Sequence, residues 1–145
     1  MSLFDAMSVS ASGLAAERRR AEVLVENLAN AETTRTPEGG PYRRKDVVFE
    51  AQAVASPFAS VFASLASGGG AGVAVREVVV DASEPVKRYL PGHPDADGQG
   101  YVAFPRVNAA EDMVDLINAS RNYQANVAAM SAVKDMIQRS LDVVR

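Results

Sequence analysis

Hydrophobic positions along residues 107–145 are spaced alternately three and four residues apart. This spacing places them on one stripe of an α-helix, and its persistence over several heptads is typical of a coiled coil. No Gly or Pro interrupts the stretch, and Asn108 followed by Glu111 has the form of an N-terminal cap. The pattern therefore predicts one long helix that packs against other helices. Its stripe consists of Met113, Leu116, Ser120, Tyr123, Val127, Met130, Lys134, Ile137, Leu141 and Val144.

A second stripe with the same alternating spacing lies in residues 3–31. We expect another helix here, with Glu22 placed to pair with Arg18 and Arg19 on its exposed side. The matching stripes would allow the two helices to pair, and an antiparallel pair would bring both chain ends to one end of the molecule. The N-terminal stripe consists of Phe4, Met7, Ala11, Leu14, Arg18, Ala21, Val25 and Leu28.

One cation interrupts each stripe, Arg18 in the first and Lys134 in the second. A polar residue among hydrophobic neighbours in a coiled coil lowers stability but selects one register and one partner. We therefore predict that both cations set the register between helices. The residues expected to make packing contacts between subunits are Leu14, Arg18, Val25, Leu28, Asn30, Met113, Leu116, Tyr123, Val127, Met130, Lys134, Ile137 and Leu141.

The middle of the chain, residues 33–106, lacks helical spacing and is rich in turn formers. Residues 42–55 are β-like and residues 73–80 alternate as a strand, which together predict a hairpin. Its tip, residues 56–72, is a segment of Ala, Ser and Gly that we expect to be flexible. A further short strand is predicted at residues 101–104. The fold class is therefore mainly α with a small β region.

This organisation divides the chain into an N-terminal coiled-coil helix at 1–32, a β-rich middle at 33–106 and a C-terminal coiled-coil helix at 107–145. The two helices are expected to form one domain together.

Composition narrows the functional classes. Of the 145 residues, 48% are hydrophobic, but most of these are Ala and Val, so bulky core residues are few. A net charge of −3 argues against nucleic acid as a partner, and the absence of cysteine excludes disulfides and thiolate chemistry. The N-terminus lacks the pattern of a secretory signal peptide, and no stretch has the length of a membrane span. We expect any export to leave the N-terminus intact.

Residues 91–100 contain the chain's one histidine, His93, together with Asp95 and Asp97. A metal-binding or enzymatic module that uses these three residues is therefore an alternative function. An EF-hand loop that begins at Asp95 would place Arg106 where the closing glutamate is needed, and a zinc site would need further ligands. The prolines, glycines and aspartates are better explained as a turn that leads into the last helix.

Catalytic chemistry finds no support elsewhere in the sequence. No nucleophile is paired with a base in a known pattern, and no glycine-rich phosphate loop is present. We therefore expect a protein that is not an enzyme, with no cofactor and no small-molecule substrate.

Several short segments resemble the flagellar axial proteins, the family that builds the rod, hook and filament. Residues 12–16 (SGLAA) and 27–31 (NLANA) are similar to the N-terminal signature of that family. Residues 107–108 (VN), 111–113 (EDM) and 120–126 (SRNYQAN) are similar to the C-terminal one. Within the family, the proximal rod proteins are resembled most closely by residues 40–45 (GPYRRK), 91–98 (PGHPDADG) and 100–102 (GYV).

The resemblance implies a structural subunit of the bacterial flagellar basal-body rod, which polymerises helically into a hollow drive shaft that transmits torque. It also implies terminal helices that are antiparallel to each other and coiled against neighbouring subunits. The implied partners are other copies of the chain, neighbouring rod and basal-body proteins, and the flagellar type III export apparatus. The implied location is the part of the rod that spans the periplasm.

Overall fold

Two long helices lie side by side in antiparallel orientation. In this computed structural model, which describes residues 3–53 and 71–143, α1 spans Leu3–Ala29 and α2 spans Ala109–Val143. Residue numbers rise along α1 while those of the contacting residues fall along α2. The contacting pairs are Gly13 with Asn126, Glu17 with Asn122, and Arg20 with Asp115. The predicted antiparallel pairing of the terminal helices is confirmed.

Local contacts explain where the helices begin and how α1 is stabilised. The side chain of Asn108 accepts a hydrogen bond from the backbone N–H of Ala110 at 3.2 Å, so the predicted cap of α2 is confirmed. Glu22 pairs with Arg18 at 3.1 Å and with Arg19 at 3.2 Å, as the sequence predicts. These hydrogen bonds hold the pKa of the Glu22 carboxyl below its usual value.

The first sheet consists of two antiparallel strands, β1 (Lys45–Ala53) and β2 (Ala71–Val80). Their register pairs Lys45 with Val80 and shifts once, between Val48 and Phe49. The two predicted strands and their antiparallel pairing are therefore confirmed. The segment predicted to be flexible, 56–72, lies outside the described residues except for Ala71 and Gly72, which begin β2.

The second sheet pairs β3 (Val86–Tyr89) with β4 (Tyr101–Phe104), again antiparallel. The sequence predicted β4 but not β3, because Pro85 and the nearby turn formers mask a strand of four residues. Gly100 has a φ of +84°, and a Cβ atom there would lie 2.9 Å from the ring of Tyr89. Only glycine therefore fits this turn without strain.

The core lies where α1 packs against α2 and the first sheet, since α1 contacts α2, β1 and β2. Ser12 fastens the sheet to the helix, because its Oγ accepts a hydrogen bond from the backbone N–H of Val73 at 3.0 Å. The buried hydrophobic side chains are small or medium in size except for Tyr42, as the composition indicated. The full set is Ala16, Val23, Leu24, Tyr42, Val102, Ala119 and Val133.

Candidate functional site: the exposed helix faces

A buried asparagine joins the end of α1 to the start of β1. Asn27 has 0% exposure, and its side chain pairs with the backbone of Lys45 in both directions, accepting from N–H at 2.9 Å and donating to the carbonyl at 2.8 Å. The hydroxyl of Tyr42 donates to the same Asn27 oxygen at 2.9 Å. The Asn27 side chain thus pairs with Lys45 as the backbone of a neighbouring strand would, and these hydrogen bonds hold α1 against β1.

A buried ion pair joins the first turn of α2 to the same region. Asp112 is 1% exposed and accepts a hydrogen bond from Arg44 at 2.9 Å, while Arg44 also pairs with Asp46 at 3.0 Å. Such a pair costs desolvation energy, but the loss of Arg44 would leave the buried charge of Asp112 uncompensated. Together with Asn27, this pair determines how α1, α2 and the first sheet are placed relative to one another.

The predicted stripes lie beside the contact between α1 and α2 rather than inside it. The most buried residues of the two helices include Ala16 and Val23 on α1 and Asp112, Ala119 and Val133 on α2, and none of them belongs to a stripe. Small residues form this contact because the helices approach closely. A Cβ atom on Gly13 would lie 3.0 Å from the side chain of Asn126. The helix pair therefore leaves much of both stripes without an internal partner.

Each stripe contains one row that is exposed and one that is largely half-buried. The predicted packing residues that are half-buried are Leu14, Leu28, Asn30, Leu116, Met130 and Ile137. Those that are exposed are Arg18, Val25, Met113, Tyr123, Val127, Lys134 and Leu141. Val144 lies outside the described residues. An exposure of 50% at Val25, 51% at Met113 and 66% at Leu141 leaves hydrophobic surface on both helices.

The two stripes face one shared groove between α1 and α2. Arg18 and Ala21 from α1 and Ser120 and Tyr123 from α2 line the same cavity of about 430 Å³. Stripe residues of both helices thus lie on one side of the pair. This arrangement can accept a further helix, because a groove between two helices with small side chains admits the ridge of a third.

Sequence reasoning missed two kinds of residue. Val114 and Ile117 are hydrophobic and exposed on α2, at 58% and 52%, and their spacing of three was a signal for a second hydrophobic face. Asn27 and Asp112 lie in the segments NLANA and EDM that resemble the family, but nothing in their spacing marked them as buried, because polar residues near helix ends are usually exposed caps. Their burial depends on the position of β1 and the loop before it.

The aspartates of residues 91–100 serve as hydrogen-bond acceptors within and beside the turn. Asp97 accepts from the backbone N–H of Tyr101 at 2.8 Å and of Gln99 at 2.9 Å, which holds the pKa of its carboxyl below the usual value. Asp95 accepts from the hydroxyl of Thr34 at 2.8 Å. Within residues 3–53 and 71–143, no group of three or more His, Asp or Glu is arranged to hold a metal ion. The geometry therefore supports the turn rather than the metal-binding alternative.

Membrane insertion has no candidate among the described helices, since neither α1 nor α2 combines the length and apolar content that a span requires.

Comparison with known proteins identifies a family for the C-terminal part of the chain. Residues 99–143 match the family model described as flagellar basal body rod FlgEFG protein C-terminal. The match covers β4 and α2 and indicates the class of flagellar rod proteins.

Relatives over the whole length define the family more closely. The chain is 40% identical to the flagellar basal-body rod protein FlgC of Borreliella burgdorferi, over 100% of the chain and 99% of the relative. It is 41% identical to that of Bacillus subtilis, over 99% of both, and 39% identical to that of Escherichia coli O157:H7, over 97% of both. The chain belongs to the FlgC family of flagellar basal-body rod proteins, and it is a structural subunit of the rod in the flagellar basal body.

Proposed function

We propose that the chain polymerises helically within the rod through the exposed stripes of α1 and α2, and that the resulting shaft transmits torque. The observation that carries this proposal is the set of exposed hydrophobic side chains on both helices, which includes Val25, Met113 and Val127. Burial of this surface between subunits contributes about 25 cal/mol per Å². A contact between unlike surfaces of successive copies does not close on itself and so builds a helix.

The partners are other copies of the chain and the neighbouring rod and basal-body proteins. Each copy presents stripe residues from two helices on one side, and Val114 and Ile117 on α2 add a second hydrophobic face. A subunit with two such faces can contact more than one neighbour. A stiff shaft requires this, because torque must pass through several contacts of each subunit at once.

Export to the rod is part of the same proposal. The chain is a substrate of the flagellar type III export apparatus and crosses the membrane without a cleaved signal peptide. Membership of the family of flagellar basal-body rod proteins supports this route. Basal bodies should therefore contain a chain whose N-terminal peptide, recovered by mass spectrometry, begins within the first two residues.

Substitution of one exposed stripe residue tests the packing proposal. Val127→Glu places a charge in the expected subunit contact, so the free chain should remain as helical as the parent by circular dichroism but should be lost from isolated basal bodies. Ala129→Glu is the matched control, because it adds the same charge to an exposed position of the same helix about 160° away around its axis, in line with neither Val127 nor Val114. Normal incorporation of Val127→Glu would contradict the proposal.

A further inference from the structure

The groove between α1 and α2 contains a carboxylate that is only half satisfied. Glu17 accepts a hydrogen bond from the side-chain amide of Asn122 at 3.1 Å through Oε1. Its other oxygen, Oε2, is buried and has no hydrogen-bond donor within the described parts of the chain. A buried acceptor without a donor costs about 1–3 kcal/mol. The groove therefore lacks one donor, and a cation would be the most favourable one.

Space for that donor exists beside Glu17. The groove of about 430 Å³ is bounded there by Ala21 and Ala119, whose small side chains leave it open. The last torsion of a glutamate side chain is broad, so the carboxylate can turn Oε2 toward an incoming group; the hydrogen bond that this rotation loosens, from Asn122 to Oε1, is an exposed one. A long, flexible ammonium side chain suits such a position, because it can enter between two helices while its stem packs on hydrophobic surface.

Lys134 is the cation of the stripes for which the described part of the chain provides no partner. It is exposed and takes part in no hydrogen bond or ion pair with the residues that the structure describes, whereas Arg18 already pairs with Glu22. Ile137 and Leu141 follow Lys134 at three and seven residues, on the same stripe. A helix that places Lys134 in the groove would thus also bring hydrophobic side chains to it.

Lys134 cannot reach Glu17 of its own chain. Asn122 lies opposite Glu17, and Lys134 is twelve residues further along α2. At about 1.5 Å per residue, this separation is roughly 18 Å along the helix axis. Only another molecule can bring this ammonium group to the carboxylate.

We propose that the groove receives α2 from a second copy of the chain, and that Lys134 of that copy forms an ion pair with Glu17. The inference rests on the proposed function and identifies a contact within it. The pair explains why a lysine occupies a hydrophobic stripe: the ammonium group satisfies a buried carboxylate and permits one register between neighbouring copies.

A charge exchange in the full-length chain tests the contact in motile cells. We expect Glu17→Lys and Lys134→Glu each to lower incorporation into basal bodies by about tenfold, because each change brings like charges together. The double variant restores the opposite charges and should recover to within about threefold of the parent level. Circular dichroism of each variant checks that the helices still form.

The control for the exchange has the same net charge as the double variant but places the new glutamate at position 139 instead of 134. Arg139 is exposed, lies outside the stripe and takes part in no ion pair that the structure describes. Glu17→Lys combined with Arg139→Glu has the same net charge as the double variant, and it should remain as defective as Glu17→Lys alone. Equal recovery with either pair would overturn the proposal, as would full incorporation of both single variants.

Cross-linking gives a second test that does not depend on charge reversal. The chain contains no cysteine, so every disulfide between copies must involve an introduced residue. One copy carries Glu17→Cys and a differently tagged copy carries Lys134→Cys, and a disulfide between them requires that the two positions lie close together. We expect a mixed dimer in isolated basal bodies, and a much weaker one when Arg139→Cys replaces Lys134→Cys.

The outcomes separate this contact from the proposed function. Absence of the parent chain from the rod would contradict the proposed function. If the parent chain is incorporated, two results together would overturn this contact and leave the proposed function intact. These are a double variant that fails to restore incorporation and the absence of a mixed dimer. Cross-links from Lys134→Cys that form only to other rod proteins would also overturn it.

Discussion

Asn27 is the residue on which the connection between α1 and the first sheet most depends. Its amide replaces the pairing that a neighbouring strand would give to Lys45, and it also accepts from Tyr42. Because the amide is fully buried, water cannot replace these bonds if it is removed. The motif NLANA drew attention to this position by resemblance, but only the fold explains why an amide is needed there.

Replacement of Asn27 by Ala should therefore be strongly destabilising. The change removes two hydrogen bonds to the backbone of half-buried Lys45 and the acceptor of the Tyr42 hydroxyl, so we expect a loss of about 3 kcal/mol in the free energy of unfolding. Urea unfolding followed by circular dichroism measures the effect. Asn118→Ala, at an exposed position on α2, is the control and should change stability little. A loss no greater than that of the control would contradict the assigned role.

Tyr42 gives the same junction a dependence on alkaline pH. Burial, together with the charges of Glu26 and Asp112, raises the pKa of the Tyr42 hydroxyl to about 12 from the ordinary value of 10.0. Because the pKa of the Tyr42 hydroxyl is higher in the folded chain than in the unfolded one, this group stabilises the fold at pH values below 10. The contribution is lost as pH rises from 10 to about 12. Stability should therefore fall across this range. In Tyr42→Phe, urea unfolding at several pH values should show lower stability at neutral pH and a smaller alkaline decrease.

At the scale of elements, periodicity was a reliable guide to the helices and a partial guide to the strands. Both terminal helices follow from spacing that persists over several heptads without Gly or Pro in α2. The strand β3 was missed because four residues beside a proline carry too little pattern. The face by which α1 meets α2 was also not apparent, since it is built from small residues such as Gly13 and Ala16 rather than from the hydrophobic stripe.

Gly13 is needed for the close approach of α1 and α2. In Gly13→Leu the side chain would collide with the side chain of Asn126, so either Asn126 is displaced or the helices move apart, and thermal stability should fall. The intrinsic helix preference acts in the opposite direction, because leucine favours a helix by about 0.8 kcal/mol over glycine. Any loss of stability in calorimetry therefore reports the contact itself. Ala15→Leu, at an exposed position of the same helix, controls for the added side chain.

At the scale of the whole molecule, the folded chain leaves much of the hydrophobic surface of its helices exposed. The exposed rows of both stripes and the groove at Glu17 are the surfaces that we propose neighbouring subunits cover. Arg18 lies at the edge of this groove and is 76% exposed, while its charge is balanced by Glu22. We expect it, like Lys134, to select the register between helices.

Removal of the Arg18 charge should affect assembly more than folding. Arg18→Leu exchanges an exposed cation for a hydrophobic residue in the stripe, so the free chain should stay soluble and helical while ordered incorporation and motility decrease. Swimming speed and basal-body content measure the effect. Arg19→Leu is the matched control, because Arg19 also pairs with Glu22 but lies outside the stripe. Unchanged motility in Arg18→Leu would contradict a role in register.

The sequence by itself determined the two helices, the antiparallel strand pair and the presence of hydrophobic stripes, because all three follow from local periodicity. Only the tertiary structure decided which face of each helix is used within the chain, because that choice depends on the close approach permitted by Gly13 and on the buried positions of Asn27 and Asp112. These contacts join residues distant in sequence, and their small or polar side chains do not stand out in a hydrophobic pattern. The stripes remain largely on the outside, where a neighbouring subunit can cover them.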